Sequence, residues 1–185
     1  MSILERLRQE TAAAHAQLDA AVELEARVSD PDERVRLVQA FHAFHAIAES
    51  VLARAPRGFD LFSRLPVLKA DLKALGAEPL PAPGSPSVDA ARALGWLYVV
   101  EGSSLGGHVL RKGLQSRKVD TVGLGFLDPY GGQVGVMWRE TVAFLESQAL
   151  RPDIDPAAVV SGACDAFEFA YGTLAFHVDH RDPRP

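Results

Sequence analysis

The stretch Tyr98-Val99-Val100-Glu101-Gly102-Ser103-Ser104-Leu105-Gly106-Gly107-His108-Val109-Leu110 constrains this chain more than any other. Helical composition flanks it on both sides, over 88–97 before it and 109–112 after it. Yet three glycines interrupt it. Each costs about 1 kcal/mol against alanine in a helix interior, so roughly 3 kcal/mol of local penalty is accepted here. Gly102 and Gly106 are four residues apart and share one helix face. That face is bare backbone, open to a second helix or to a flat ligand, and the weakened ladder permits a bend. The small-xxx-small spacing by itself favours helix packing. Gly107 and the hydroxyls of Ser103 and Ser104 beside that face favour a bound group or ordered water.

The rest of the chain reads as further helices. Ile3, Leu4, Leu7, Thr11, Ala14, His15, Leu18 and Val22 recur at threes and fours, predicting a helix over 2–25. His15 falls within that stripe among alanines, either as a satisfied core histidine or as a ligand. Arg8 lies two turns earlier on the same face, placed to meet an anionic group of a molecule whose iron His15 would bind. Asp30-Pro31-Asp32-Glu33 has a cap, a first-turn proline and a capping-box glutamate, and opens a helix to about residue 54. Within it, His42 and His45 read as satisfied or polar-edge histidines, with Glu49 pairing with His45 at the surface.

A loop over 55–62 precedes a short helix over 65–75, which Gly76 ends. Four prolines stiffen 78–86, and Ser87 is the expected cap of the glycine-containing helix, which runs to about residue 116. After a loop over 117–128 comes a helix over 129–150, with Trp138, Val142 and Leu145 on its apolar face and Arg139 beside Trp138. Asp155-Pro156 starts the last helix, expected to reach about residue 178, with a polar tail over 177–185. Long helices, short loops and no paired strands predict an all-α, compact multi-helix bundle.

The chain has 185 residues, which suits one domain spanning 1–185. A net charge of -5 gives no nucleic-acid footprint, and the absence of an 18-residue apolar run predicts no membrane span. The single cysteine, Cys164, lies in an apolar helical run and reads as buried filler. With no apolar leader core at the start, the expected location is the cytoplasm.

Three blocks resemble one family. Leu7 to Asp19, with Arg8, Thr11, His15 and Leu18 in register, resembles the first-helix signature of heme oxygenases. Tyr98 to Leu110 resembles their glycine-rich distal helix, and Phe126-Leu127-Asp128-Pro129-Tyr130-Gly131 through Met137-Trp138-Arg139 resembles a later helix. The resemblance is nearest to the bacterial, bacteriophytochrome-associated type. It implies that His15 ligates iron, that Arg8 and Arg139 meet the heme propionates, and that Phe167 packs near the heme. It also implies that Gly102, Ser103 and Gly106 form the distal side.

The activity implied is cleavage of heme, as both substrate and oxygen-activating cofactor, with O2 to biliverdin, CO and ferrous iron. Electrons would come from an external reductase or ferredoxin, and a bacteriophytochrome would be a recipient of the product. One departure stands out. Animal members carry an aspartate directly after the first distal glycine, where this chain has Ser103. That keeps a non-catalytic heme carrier or sensor open as the alternative. A thiaminase-like hydrolase on the same fold would need a pocket nucleophile, for which Cys164 is the only thiol.

Overall fold

In the computed structural model, residues 1–82 and 84–175 are described, and all regular structure among them is helical. The seven α-helices are α1 (Ile3–Val22), α2 (Leu24–Ser29), α3 (Pro31–Leu52), α4 (Leu65–Ala74), α5 (Ala90–Ser116), α6 (Val134–Ala149) and α7 (Pro156–Leu174). Two 3-10 turns, Gly125–Leu127 and Gly131–Gln133, lie between α5 and α6. The all-α bundle expected from the sequence is what forms.

Local chemistry sets the ends of these helices. A reciprocal capping box between Ser2 and Glu5 opens α1. Its far end is earlier than predicted, because Glu23 takes left-handed backbone (φ 46°) and splits the expected 2–25 helix into α1 and α2. Asp30 caps α3 by accepting from the N–H groups of Asp32 and Glu33. For α5 the cap is Asp89, whose carboxylate accepts from Arg92 N at 2.8 Å, and not Ser87. The predicted 129–150 helix starts only at Val134, since Gly131 at φ 54° holds the preceding residues in a turn. The last helix ends at Leu174, and Phe176 and the expected polar tail lie outside the described residues.

The helix α5 is the spine of the bundle and packs chiefly against α7 and α6. At its crossing with α7 the two backbones touch. A side chain on Gly95 would collide with the backbone of Val159 and Ala163, and one on Gly162 would collide with Arg92. Trp96, Phe44 and Phe169 pack together beside this crossing. Further along α5, Gly107 lets the backbone of Leu127 approach where no Cβ would fit. The Asp71 carboxylate fixes that same loop by accepting from Gly125 N at 2.9 Å and Phe126 N at 2.8 Å. Cys164 is half-buried on α7, less enclosed than expected, and burial raises its thiol pKa.

Substituting Gly162 by alanine forces backbone apart at the α5–α7 crossing and should lower stability by about 1–3 kcal/mol or more. Gly113 has open space around it. Alanine there should be neutral or stabilising by up to about 1 kcal/mol. Thermal melting of the two variants tests the contrast, and equal effects would refute it.

Candidate functional site

A cavity of about 590 Å3 opens between α1 on one side and the glycine segment of α5 on the other. That size is within the range of small-molecule and cofactor sites. Leu18, Val22, Leu24, Tyr98, Val99, Leu105 and Leu110 give it apolar walls, with Phe41, Phe44 and Phe126 at the back. Six of the seven residues predicted from sequence line it: Arg8, His15, Gly102, Ser103, Gly106 and Phe167. The seventh, Arg139, is exposed on α6 and lies outside the lining, while its neighbour Trp138 is part of the wall. A helix turns by about 100° per residue, so adjacent positions do not share a face.

His15 is not in the buried stripe of α1, which consists of Ile3, Leu7, Thr11 and Val22. Its side chain is 61% exposed and stands at the cavity rim. Its Nδ1 lies 3.0 Å from the Asp19 carboxylate, one turn later. The contact is an ion-pair approach without hydrogen-bond geometry, and Nε2 makes no hydrogen bond among the described residues. A carboxylate beside one ring nitrogen is a common companion of metal-binding histidines. Phe167 meets the imidazole edge-on at 5.6 Å between ring centres and limits its rotation. Arg8 makes no ion pair among the described residues, so its charge is available at the rim.

Opposite, α5 runs unbroken through its glycines. Gly102 touches only the Trp138 ring, and Gly106 has nothing within 4 Å of where a side chain would start. These two glycines therefore serve the cavity, while helix packing is left to Gly95 and Gly162. The two serines differ. Ser103 is exposed and its hydroxyl donates back to the Val100 carbonyl at 2.8 Å. Ser104 is buried, and its Oγ accepts from Arg64 Nη2 at 3.0 Å.

Arg64 belongs to a buried group that the sequence reading missed. Its Nη2 also donates to Glu101 Oε2 at 3.0 Å, and its Nη1 donates to the Tyr130 hydroxyl at 3.0 Å. The Tyr130 hydroxyl in turn donates to Glu101 Oε2 at 2.9 Å. Arg64 and Glu101 are almost wholly enclosed, and burial pushes the Tyr130 phenol up to about 12. Glu101 and Ser104 are three apart on one helix, so their shared face was visible in the sequence. Arg64 and Tyr130 come from distant segments and were not.

The two histidines of α3 are neither satisfied nor at a polar edge. Both are buried, and both nitrogens of His42 and the Nδ1 of His45 lack partners among the described residues. His45 lines the back of the cavity between Phe41 and Phe44. Burial, with the nearby Arg64 charge, pushes its pKa down to about 3. Glu49, expected to pair with His45, instead caps α4 by accepting from Arg64 N at 2.7 Å, and it accepts from the Ser63 hydroxyl. His108 is structural, with Nδ1 2.8 Å from the Asp128 carboxylate.

An imidazole with a free Nε2, a bare helix face opposite it, apolar walls between and a cation at the rim fit a flat, iron-bearing, anionic macrocycle. Comparison with known proteins agrees. The chain is 33% identical over 175 residues to heme oxygenase PigA of Pseudomonas aeruginosa, covering 88% of this chain and 86% of that one. It is 33% identical over 124 residues to a heme oxygenase of Xanthomonas campestris, covering 64% of this chain and 71% of that one. Among solved structures it is similar to the NO- and CO-bound heme oxygenase of Neisseria meningitidis, with a TM-score of 0.79, 26% identity and coverage of 97% and 95%. Heme oxygenase 2 of Chlamydomonas reinhardtii shares the fold, with a TM-score of 0.72 at 17% identity and coverage of 94% and 96%. No family model matches the chain.

The neutral, buried His45 gives the protein an acid-sensitive core. Between its unfolded pKa near 6.5 and its folded value of about 3, the unfolded chain holds a proton that the folded chain does not. Stability should therefore fall as pH drops through that window. Denaturant melts of wild type and His45→Leu at pH 7 and pH 5 check this, and the variant should lose less than wild type on acidification. Equal losses would show that His45 does not carry the effect.

Proposed function

The chain belongs to the heme oxygenase family, and we propose that it degrades heme in the cavity between α1 and α5, with His15 as the iron ligand. The observation that carries this reading is the placement of His15. Its Nδ1 lies beside the Asp19 carboxylate, and the ring lines the same cavity as Gly102 and Gly106. When bound, heme supplies the redox-active iron and the oxidisable meso carbons.

The protein's part is to bind, orient and restrict. Asp19 beside Nδ1 favours the tautomer that leaves Nε2 basic, and Phe167 packs edge-on against the ring. Arg8 at the rim attracts a propionate and so biases the in-plane orientation of the macrocycle, which decides the carbon that faces the glycine wall. Arg139, outside the lining, is not assigned this task. Gly102 and Gly106 remove side chains from the distal side, so backbone approaches the ring plane and steers oxidation toward its edge. The Phe41, Phe44 and Phe126 wall excludes bulk water from the rear.

The products on this reading are biliverdin, CO and ferrous iron, with electrons from a small reductase or ferredoxin and a bacteriophytochrome as recipient of the biliverdin. No helix among the described residues is long and apolar enough to cross a membrane. The reading places the chain in the cytoplasm, where such an electron donor is found.

Hemin titration followed by ascorbate under air is the direct test. A Soret band that forms and then gives way to a broad far-red band is the expected outcome. A band that forms and persists would mark a carrier or sensor instead. His15→Ala should lose the wild-type spectrum and at least about tenfold in heme affinity, and Asp19→Asn should lose up to about tenfold, since this outer-shell pair is exposed. Gly106→Leu should retain heme and stall or redirect its oxidation. Unchanged spectrum and affinity in His15→Ala would remove His15 as the ligand, and normal turnover to the same product in Gly106→Leu would remove the bare-face argument.

A further inference from the structure

We propose that Ser104, and not Ser103, is the hydroxyl that serves the distal side of the cavity, with Arg64, Glu101 and Tyr130 as the positioning residues that set its hydrogen-bond direction. The proposal rests on the reading of this cavity as the heme site.

The direction follows from counting donors. Arg64 can only donate. Its Nη2 therefore occupies a lone pair of Ser104 Oγ, at 3.0 Å. The serine hydrogen is left without an acceptor among the described residues, and Ser104 lines the cavity. A hydroxyl that already accepts from a buried guanidinium is a polarised donor toward whatever lies beside it. Ser103 also lines the cavity but has the opposite arrangement, because its hydrogen is committed to the Val100 carbonyl.

Three further groups hold Arg64 in place. Glu101 Oε2 accepts from Nη2, the Tyr130 hydroxyl accepts from Nη1, and the same Tyr130 hydroxyl donates to Glu101 Oε2, which closes a ring of three bonds. The Phe62 carbonyl also accepts from Nη1, and the guanidinium carbon lies 4.7 Å from the centre of the Tyr130 ring. Glu101 Oε1, buried and without a partner among the described residues, leaves the carboxylate incompletely satisfied. An ion pair this enclosed costs desolvation, so it is weak evidence of a purely stabilising role. Its evident product is a fixed donor at Ser104. The arrangement supplies a carboxylate on the distal helix although Ser103 follows the first glycine, since Glu101 precedes it.

Fluoride binding to the ferric heme-loaded protein reads a distal donor directly, because the anion is a strong hydrogen-bond acceptor. Ser104→Ala should weaken fluoride binding at least about tenfold, as expected for one hydrogen bond to a charged group, with hemin affinity near wild type and a lowered melting temperature from the Arg64 donor left unpaired. Ser103→Ala should change fluoride affinity less than about twofold, within the range of a lost neutral surface contact. Tyr130→Phe frees one bond on Arg64 and should shift fluoride affinity in the same direction as Ser104→Ala but by less, again with hemin affinity unchanged. A purely structural role for Tyr130 would lower melting temperature without moving fluoride affinity, and that result overturns its assignment. Loss of fluoride affinity in Ser103→Ala with none in Ser104→Ala overturns the proposal while leaving the heme reading intact. Failure of the wild-type protein to take up hemin overturns both.

Discussion

Backbone contact between α5 and α7 is the constraint on which the rest of the structure depends. Gly95 and Gly162 face one another where no side chain fits, so the two helices cross as closely as helices can. The same helix then uses glycine for the reverse purpose. At Gly106 no neighbour comes near, and at Gly102 only the Trp138 ring does. Tight contact at one point fixes α5 firmly enough for another stretch of it to be left uncovered. An uncovered helix face is normally a loss of burial and of dispersion contacts. Here the loss leaves room opposite His15, and the chain supplies apolar walls for something else to fill it.

The second organising element is the enclosed charge at Arg64 and Glu101. Four parts of the chain converge on it: the start of α4, the middle of α5, the loop before α6 through Tyr130, and α3 through Glu49, which caps α4 beside Arg64. Removing one partner of such a pair leaves a buried charge uncompensated, which costs far more than the pair returns. The group therefore ties the register of α4 against α5. That in turn positions Asp71 on α4 over the loop whose backbone passes Gly107.

Much of this was legible in the sequence. Apolar periodicity located the start of α1, capping residues and proline located those of α3 and α7, and the glycine spacing located the open face of α5. What failed was whatever depended on distant partners. Asp89 in place of Ser87 is a choice between two good caps two residues apart, decided by which one the chain geometry delivers. The break at Glu23 has no glycine to announce it, because its left-handed backbone is imposed by the turn into α2. His42 and His45 looked satisfied because buried histidines usually are, and only the folded structure shows that both His42 nitrogens and His45 Nδ1 lack partners among the described residues. Arg64 sat between the loop over 55–62 and the helix over 65–75, where nothing singled it out, and its partners lie 37, 40 and 66 residues further along the chain. Periodicity carries no information over such separations.

The position of the carboxylate has a chemical consequence. A residue directly after Gly102 would point to the flank of the glycine face, whereas Glu101 is turned about 100° the other way and lies behind the wall. Negative charge placed behind the wall is paired with Arg64, and what the cavity meets is the Ser104 hydroxyl beside Arg64, which is itself part of the lining. A donor of that kind can hold water or an anionic oxygen without offering it a free carboxylate. His45, neutral at physiological pH, adds no charge from the rear. The distal side of this site is thus electrostatically mild by construction. Its selectivity rests on shape and on one directed hydrogen bond, with Arg8, which makes no ion pair among the described residues, as the charge at the rim.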